Sequence, residues 1–155
     1  MTSRVMDRRP RPRQSHRVTG SLETDDPTAL MHRLMPFTAL LGATALRAVP
    51  QEVALRLDWD ASRCTTAGLL HGGALMALAD AAGGWCAFLN LPDGATGTAT
   101  VTSATNFLRP VTSGHVEAVA RVLHGGRSTI IVDTEVRDAA GKLAARVTQT
   151  QAVLR

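Results

Sequence analysis

Between residues 68 and 89 the chain reads GLLHGGALMALADAAGGWCAFL, an apolar, small-residue run broken by one formal charge, Asp80, and one near-neutral ionisable group, His71. The run predicts a long buried helix, with His71-Gly72-Gly73 at its start and Asn90-Leu91-Pro92 as its stop. Upstream, residues 27–41 (PTALMHRLMPFTALL) have helical spacing, with Met31, Leu34 and Phe37 on one side and Pro36 as an interruption. Residues 53–59 alternate apolar with polar, like a strand. After the long helix, Asp93-Gly94 turns the chain into a threonine-rich run, 98–108, whose β-branched residues favour extended structure. Three more strand patterns follow at 115–124, 128–137 and 143–154, joined at Gly125-Gly126 and Ala140-Gly141. In the second of these, Val132, Thr134 and Val136 alternate with Asp133, Glu135 and Arg137, so one face is wet. One hydrophobic helix followed by an antiparallel meander predicts an α+β domain whose sheet wraps that helix. No internal repeat is visible.

The apolar run is long enough to span a membrane. Its central aspartate, its glycines and alanines, and the amphipathic strands that follow argue for a core helix instead. The N-terminus has no apolar h-region, so no signal peptide is expected.

The net charge of +4 invites a nucleic-acid reading that its distribution does not support. Residues 1–17 hold six arginines against Asp7, a net +5, and the remainder sums to −1. Residues 1–20 are therefore expected to form a basic, disordered tail, and residues 21–155 a single domain. With no tyrosine and 3% aromatic residues, base-stacking platforms are not expected, nor is nucleic acid as a partner. Two cysteines, Cys64 and Cys86, fit neither a disulfide framework nor a paired metal motif. They read as small buried hydrophobes in a reducing, cytoplasmic compartment.

A carboxylate amid so many apolar neighbours is costly when unpaired, which makes Asp80 the first candidate for chemistry, on the expectation that it is buried. Backbone N–H groups in the first turn of a helix lack intrahelical partners and lie at the positive end of the macrodipole. Glycines at 72 and 73 leave those groups open to a ligand oxygen, where a developing oxyanion would be stabilised. Gly72 and Asp80 lie eight residues apart, about 12 Å along a helix axis. If both serve one carbonyl carbon, they must come from different copies of the helix, so the spacing predicts a dimer with composite sites.

His71-Gly72-Gly73, Leu78-Ala79-Asp80 nine places after the histidine, Asn106-Phe107-Leu108-Arg109-Pro110, Gly126-Arg127 and Gly141-Lys142-Leu143-Ala144 together resemble the hotdog-fold acyl-CoA thioesterases of the PaaI type. The resemblance spans roughly residues 40–154. It implies a curved antiparallel sheet around a central helix, homodimers or homotetramers, and hydrolysis of an acyl-CoA thioester with neither metal nor cofactor. It also implies roles: Gly72 N–H as oxyanion donor, with Gly73 beside it; His71 ordering that turn; Asp80 of the other subunit as general base or nucleophile; Thr100 holding the attacking water. Arg109 and Arg127 would meet the phosphates of CoA, and Ala77, Ala81, Gly83 and Gly84 would leave volume for the acyl group. One position departs from the pattern: six residues before the histidine, where such relatives commonly place asparagine, this chain has Thr65, whose hydroxyl donates one hydrogen bond with shorter reach.

Other classes fit less well. Hydratases of this fold pair an acid and a histidine on the active-site helix, and no histidine follows Asp80 by about one turn. No G-x-S-x-G occurs for a serine hydrolase, and His115 and His124 lack companion zinc ligands. A non-catalytic acyl-CoA sensor, with the basic tail as a DNA-contacting arm, is the alternative, although no helix-turn-helix pattern supports it.

Overall fold

The computed structural model describes residues 26–155; the basic tail assigned to residues 1–20 lies outside them. Pro27 opens helix α1 (Pro27–Leu34), where its missing N–H costs nothing, and Asp26 caps it by accepting from Thr28 N at 3.1 Å. Pro36 ends that helix and opens another, α2 (Pro36–Leu41), so the expected interruption separates two short helices. A strand that the hydrophobic pattern does not announce, β1 (Thr44–Val49), then pairs antiparallel with β2 (Glu52–Asp58).

Two short 3-10 turns lead into the long helix α3 (Gly72–Leu89), and Asn90 caps its end as the sequence predicts. Strands β3 (Gly97–Phe107), β4 (His115–Gly125), β5 (Thr129–Asp138) and β6 (Leu143–Leu154) follow within a residue or two of their expected bounds. The six strands form one antiparallel sheet in the order β1-β2-β4-β5-β6-β3.

The sheet wraps α3. Leu75, Leu78, Ala79, Ala82 and Cys86 pack against Leu55 and Leu57 of β2, Val116 and Ala118 of β4, and Val132 and Val136 of β5. Mean hydropathy of 1.3 would suit this helix to a membrane, but its contacts with the strands make it a core helix. The opposite face of β5 carries Asp133, held bidentate by Arg146, and Glu135, paired with Arg137 at 2.8 Å, which is the wet face expected. Cys86 is buried, whereas Cys64 is not: its Sγ donates to the Asp60 carbonyl at 3.3 Å in the loop before α3.

Two features position the site. First, β3 is an edge strand eleven residues long and mostly exposed, bonded only to β6. Second, its register slips between Thr100 and Thr102, leaving Val101 bulged and 62% exposed. Thr100 then opposes Gln151 while Ser103 opposes Gln149, so the bulge lets residues of unlike parity face the helix.

Candidate active site

The approach to α3 is tightly held. Trp59 Nε1 donates to the Gly68 carbonyl at 3.0 Å, Thr65 N to the Leu69 carbonyl at 2.7 Å, and His71 N to the Arg63 carbonyl at 2.9 Å. Ala67 takes a left-handed conformation here, φ 61°, which a side chain other than glycine adopts only at a cost of about 1 kcal/mol.

His71 is the N-cap. Its Nδ1 accepts from Gly73 N at 2.8 Å, so Nδ1 presents its lone pair and the neutral ring carries its proton on Nε2. Ala74 N and Leu75 N both donate to the His71 carbonyl. Gly72 N–H is left as the first-turn donor with no partner among the described residues. Gly73, predicted to flank a ligand oxygen, instead spends its N–H on the histidine. A Cβ at Gly72 would come within 3.0 Å of the Phe107 ring, so glycine here lets that half-exposed ring lie over the helix start.

Asp80 corrects one expectation. It is exposed in the single chain, because it lies in a stripe of α3 with Gly72, Met76, Gly84 and Phe88 that runs along the open β3 edge of the sheet and not under its centre. That stripe is as apolar as the buried face, and composition alone does not separate the two. Asp80 nevertheless has partners. Its Oδ1 accepts from Gln149 Nε2 at 2.6 Å and from Thr100 Oγ1 at 3.3 Å, and Thr100 Oγ1 in turn accepts from Gln151 Nε2 at 2.9 Å.

Three concavities adjoin this helix face. A pocket of about 430 Å³ holds Asp80, Ala81, Gly84, Thr100 and Gln151, walled by Leu34, Met35, Trp85 and Phe88. A second, about 330 Å³, brings Thr65, Gly72, Phe107 and Arg109 together. The third, about 430 Å³, has His71, Gly73 and Ala77 on its wall, so Ala77 is not a neighbour of the Asp80 pocket. Nor does Gly83 leave room for a ligand: a Cβ there would lie 1.7 Å from Gln149 Oε1, so the glutamine amide occupies that space. Gly84 has nothing within 4 Å of its Cβ position and stays open.

Gly72 and Asp80 thus sit in different pockets of one chain. Arg109 and Arg127 are also apart. Arg109 N donates to Ala144 O and Ser128, next to Arg127, accepts from Val153 N, nine residues further along β6, or about 30 Å. Among the described residues no cluster of three His, Cys, Asp or Glu side chains is placed to hold a metal. Sequence reasoning missed Gln149 and Gln151. Their signal was available: they share the inward parity of Ala145 and Val147 in β6, where an amide is unusual.

The thioesterase superfamily model matches residues 67–145, which include the helix cap, Asp80 and the strands that hold it. The chain belongs to that superfamily. Over 75 residues it is 40% identical to the proofreading thioesterase EntH of Klebsiella pneumoniae, covering 48% of this chain and 54% of the relative. The solved structure of a variant of thioesterase PA1618 from Pseudomonas aeruginosa superposes with a TM-score of 0.76 at 27% identity, covering 86% of this chain and 96% of that one. A variant of the phenylacetic acid degradation protein PaaI from Thermus thermophilus gives a TM-score of 0.70 at 31% identity, over 77% and 99% of the two chains. The helix-in-sheet architecture is therefore the hotdog fold of these thioesterases. The chain spans about half to three fifths of the length of the curated relatives it matches.

Proposed function

We propose that this superfamily member hydrolyses an acyl-CoA thioester to the free acid and the thiol, in the cytoplasm, at sites shared between two subunits. The observation that carries the reading is one helix face bearing both an unpaired first-turn N–H, at Gly72, and a carboxylate, at Asp80, which lines a pocket and whose Oδ2 has no donor among the described residues. The names of the relatives, thioesterases among them, agree with it.

A second copy supplies the geometry that one chain lacks. A long exposed edge strand with unpaired backbone groups invites another strand. Thr100 lies beside Asp80 and Phe107 beside Gly72, so antiparallel pairing of two β3 strands centred near Ser103 and Ala104 sets Gly72 of one subunit opposite Asp80 of the other. The same pairing carries Arg109 of one subunit toward the Arg127 end of the other, where two guanidiniums would meet phosphates of CoA. Two such dimers would form the homotetramer.

In that arrangement the thioester carbonyl oxygen accepts from Gly72 N–H, and the positive helix end stabilises the charge that grows on it. Asp80 Oδ2 takes a proton from water as the water oxygen bonds to the carbonyl carbon. Collapse of the tetrahedral intermediate breaks the C–S bond, and the departing sulfur receives that proton, returning the carboxylate. His71 holds the Gly72 turn in place. Thr65 stands in the Gly72 pocket, where its hydroxyl can reach the same oxygen or the thioester sulfur. Thr100 has committed its one hydrogen to Asp80 and keeps a lone pair for the attacking water.

Thiol release measured over short, long and aromatic acyl-CoAs tests the activity. No release from any of them, with acyl-CoA still bound, would establish a sensor instead. Sharing of the site is tested by mixing Gly72→Pro and Asp80→Asn chains. Proline removes the donor N–H, and His71 at φ −64°, ψ 133° already has the backbone that precedes proline. Each parent should be inactive, and random re-association should restore about a quarter of the wild-type sites. No recovery after demonstrated subunit exchange would refute sharing.

A further inference from the structure

Two primary amides point inward from β6 into an otherwise apolar layer, and neither Gln149 nor Gln151 has appreciable solvent exposure. Burying a polar atom without a partner is destabilising, and Gln149 Oε1 has none, nor does the buried Thr134 Oγ1 nearby. Room for the amide exists only because position 83 of α3 is glycine. What the chain has from this buried amide is one side-chain hydrogen bond, Gln149 Nε2 to Asp80 Oδ1 at 2.6 Å.

We propose that Gln149 is a positioning residue for the hydrolytic reaction: seated on Gly83, it pins Asp80 Oδ1 so that Oδ2 alone is presented to water. The assignment rests on the hydrolase reading above. The carboxylate sets the sense of the amide, since the reverse orientation would put Oε1 against Oδ1, two acceptors in contact. Gln151 completes the clamp through Thr100, which accepts from it and donates to the same Oδ1. Oδ1 therefore has two donors, and Oδ2 has none among the described residues. An exposed aspartate with free χ1 and χ2 torsions would spread over several rotamers; one held at Oδ1 keeps its other oxygen in one direction.

Gln149→Met keeps the length and volume of the side chain and removes the donor. The expected result is a fall in kcat of about tenfold or more, with KM within about threefold of wild type, because acyl-CoA binding does not involve the amide. Melting temperature should hold or rise, since the unpartnered Oε1 is gone. Gly83→Ala drives the amide away from the other side and should give the same kcat loss at a temperature where the variant is fully folded; if the methionine variant does not fold, a folded Gly83→Ala enzyme with kcat within about twofold of wild type overturns the proposal. A Gln149→Met enzyme with kcat within about twofold of wild type, or one whose kcat loss tracks a fall in melting temperature, overturns the proposal. If the wild-type chain hydrolyses no thioester, the hydrolase reading fails, and the clamp is judged from the crystal structure of Gln149→Met: an Asp80 carboxylate swung from its wild-type rotamer supports it, and an unmoved one overturns it.

Discussion

Asp80→Asn separates the catalytic use proposed for this carboxylate from its structural use, because the two depend on different oxygens. Asparagine Oδ1 can still accept from Gln149 Nε2 and Thr100 Oγ1, the bonds that measure 2.6 and 3.3 Å in the native chain. Losing the charge weakens them, from about 1.5–3 kcal/mol for a bond to a charged group toward about 1 kcal/mol for a neutral one, and exposure of Asp80 reduces the difference further. Over the two bonds, and discounted for exposure, the stability cost is about 1–2 kcal/mol, a shift of about 3–8 °C in melting temperature for a domain of this size. In the single chain there is no desolvation penalty to relieve, as a buried carboxylate would have offered. Turnover stands to lose far more: replacing Oδ2 by an amide nitrogen removes the base, worth about 10²–10⁴ in rate, or about 3–5 kcal/mol of barrier. The assay is thiol release at saturating acyl-CoA, run beside thermal melts of both chains. Turnover by the asparagine variant within about threefold of wild type would refute the assignment of Asp80.

Leu78, fully buried between α3 and the sheet, should cost about 2–5 kcal/mol on replacement by alanine, read as a lower urea midpoint at unchanged slope. Burial pushes the Cys86 thiol above its ordinary value, so iodoacetamide at neutral pH should label Cys64 in the native chain and Cys86 only after unfolding. The same shift has a sign for stability: the unfolded chain ionises Cys86 first, so its contribution is complete below the ordinary thiol range and declines as pH rises from there toward the raised native value. Denaturant midpoints of wild type and Cys86→Ala between pH 7 and 10 should diverge accordingly. Ala104→Asp places like charges near the proposed twofold axis on the edge strand and should yield monomers without turnover, checked by sedimentation.

The parts of the fold that were legible are those where one local cause dominates. Proline at 27 and 36, the His71 cap, the Asn90-Leu91-Pro92 stop and the glycine turns each act within a few residues, and the helices and hairpins fall where those signals put them. β1 was not legible: Thr44–Val49 is short, lies at an edge with little burial on either face, and so has no alternation to read. The parity of β3 was hidden by the Val101 bulge, which depends on its pairing with β6 and not on its own residues. The purpose of Gly83 depends on a glutamine 66 positions later in the chain.

Asp80 shows why exposure was misjudged. A helix that is apolar all round is ordinarily buried all round, and α3 would satisfy that rule if its outer stripe were covered. In one chain it is not: Met76 and Phe88 are 40% and 49% exposed, and Val101 and Phe107 of the neighbouring edge strand 62% and 53%. Apolar residues facing a sheet and apolar residues facing another subunit obey the same preference for a dry surface, so composition cannot tell the faces apart. The position of the single acid can. A carboxylate at the middle of the uncovered stripe, eight residues from the open first-turn N–H of the same helix, lies too far from it to share one substrate within a chain; under the proposed strand pairing the two meet across the interface, and the burial inferred from the sequence would then belong to the assembled pair.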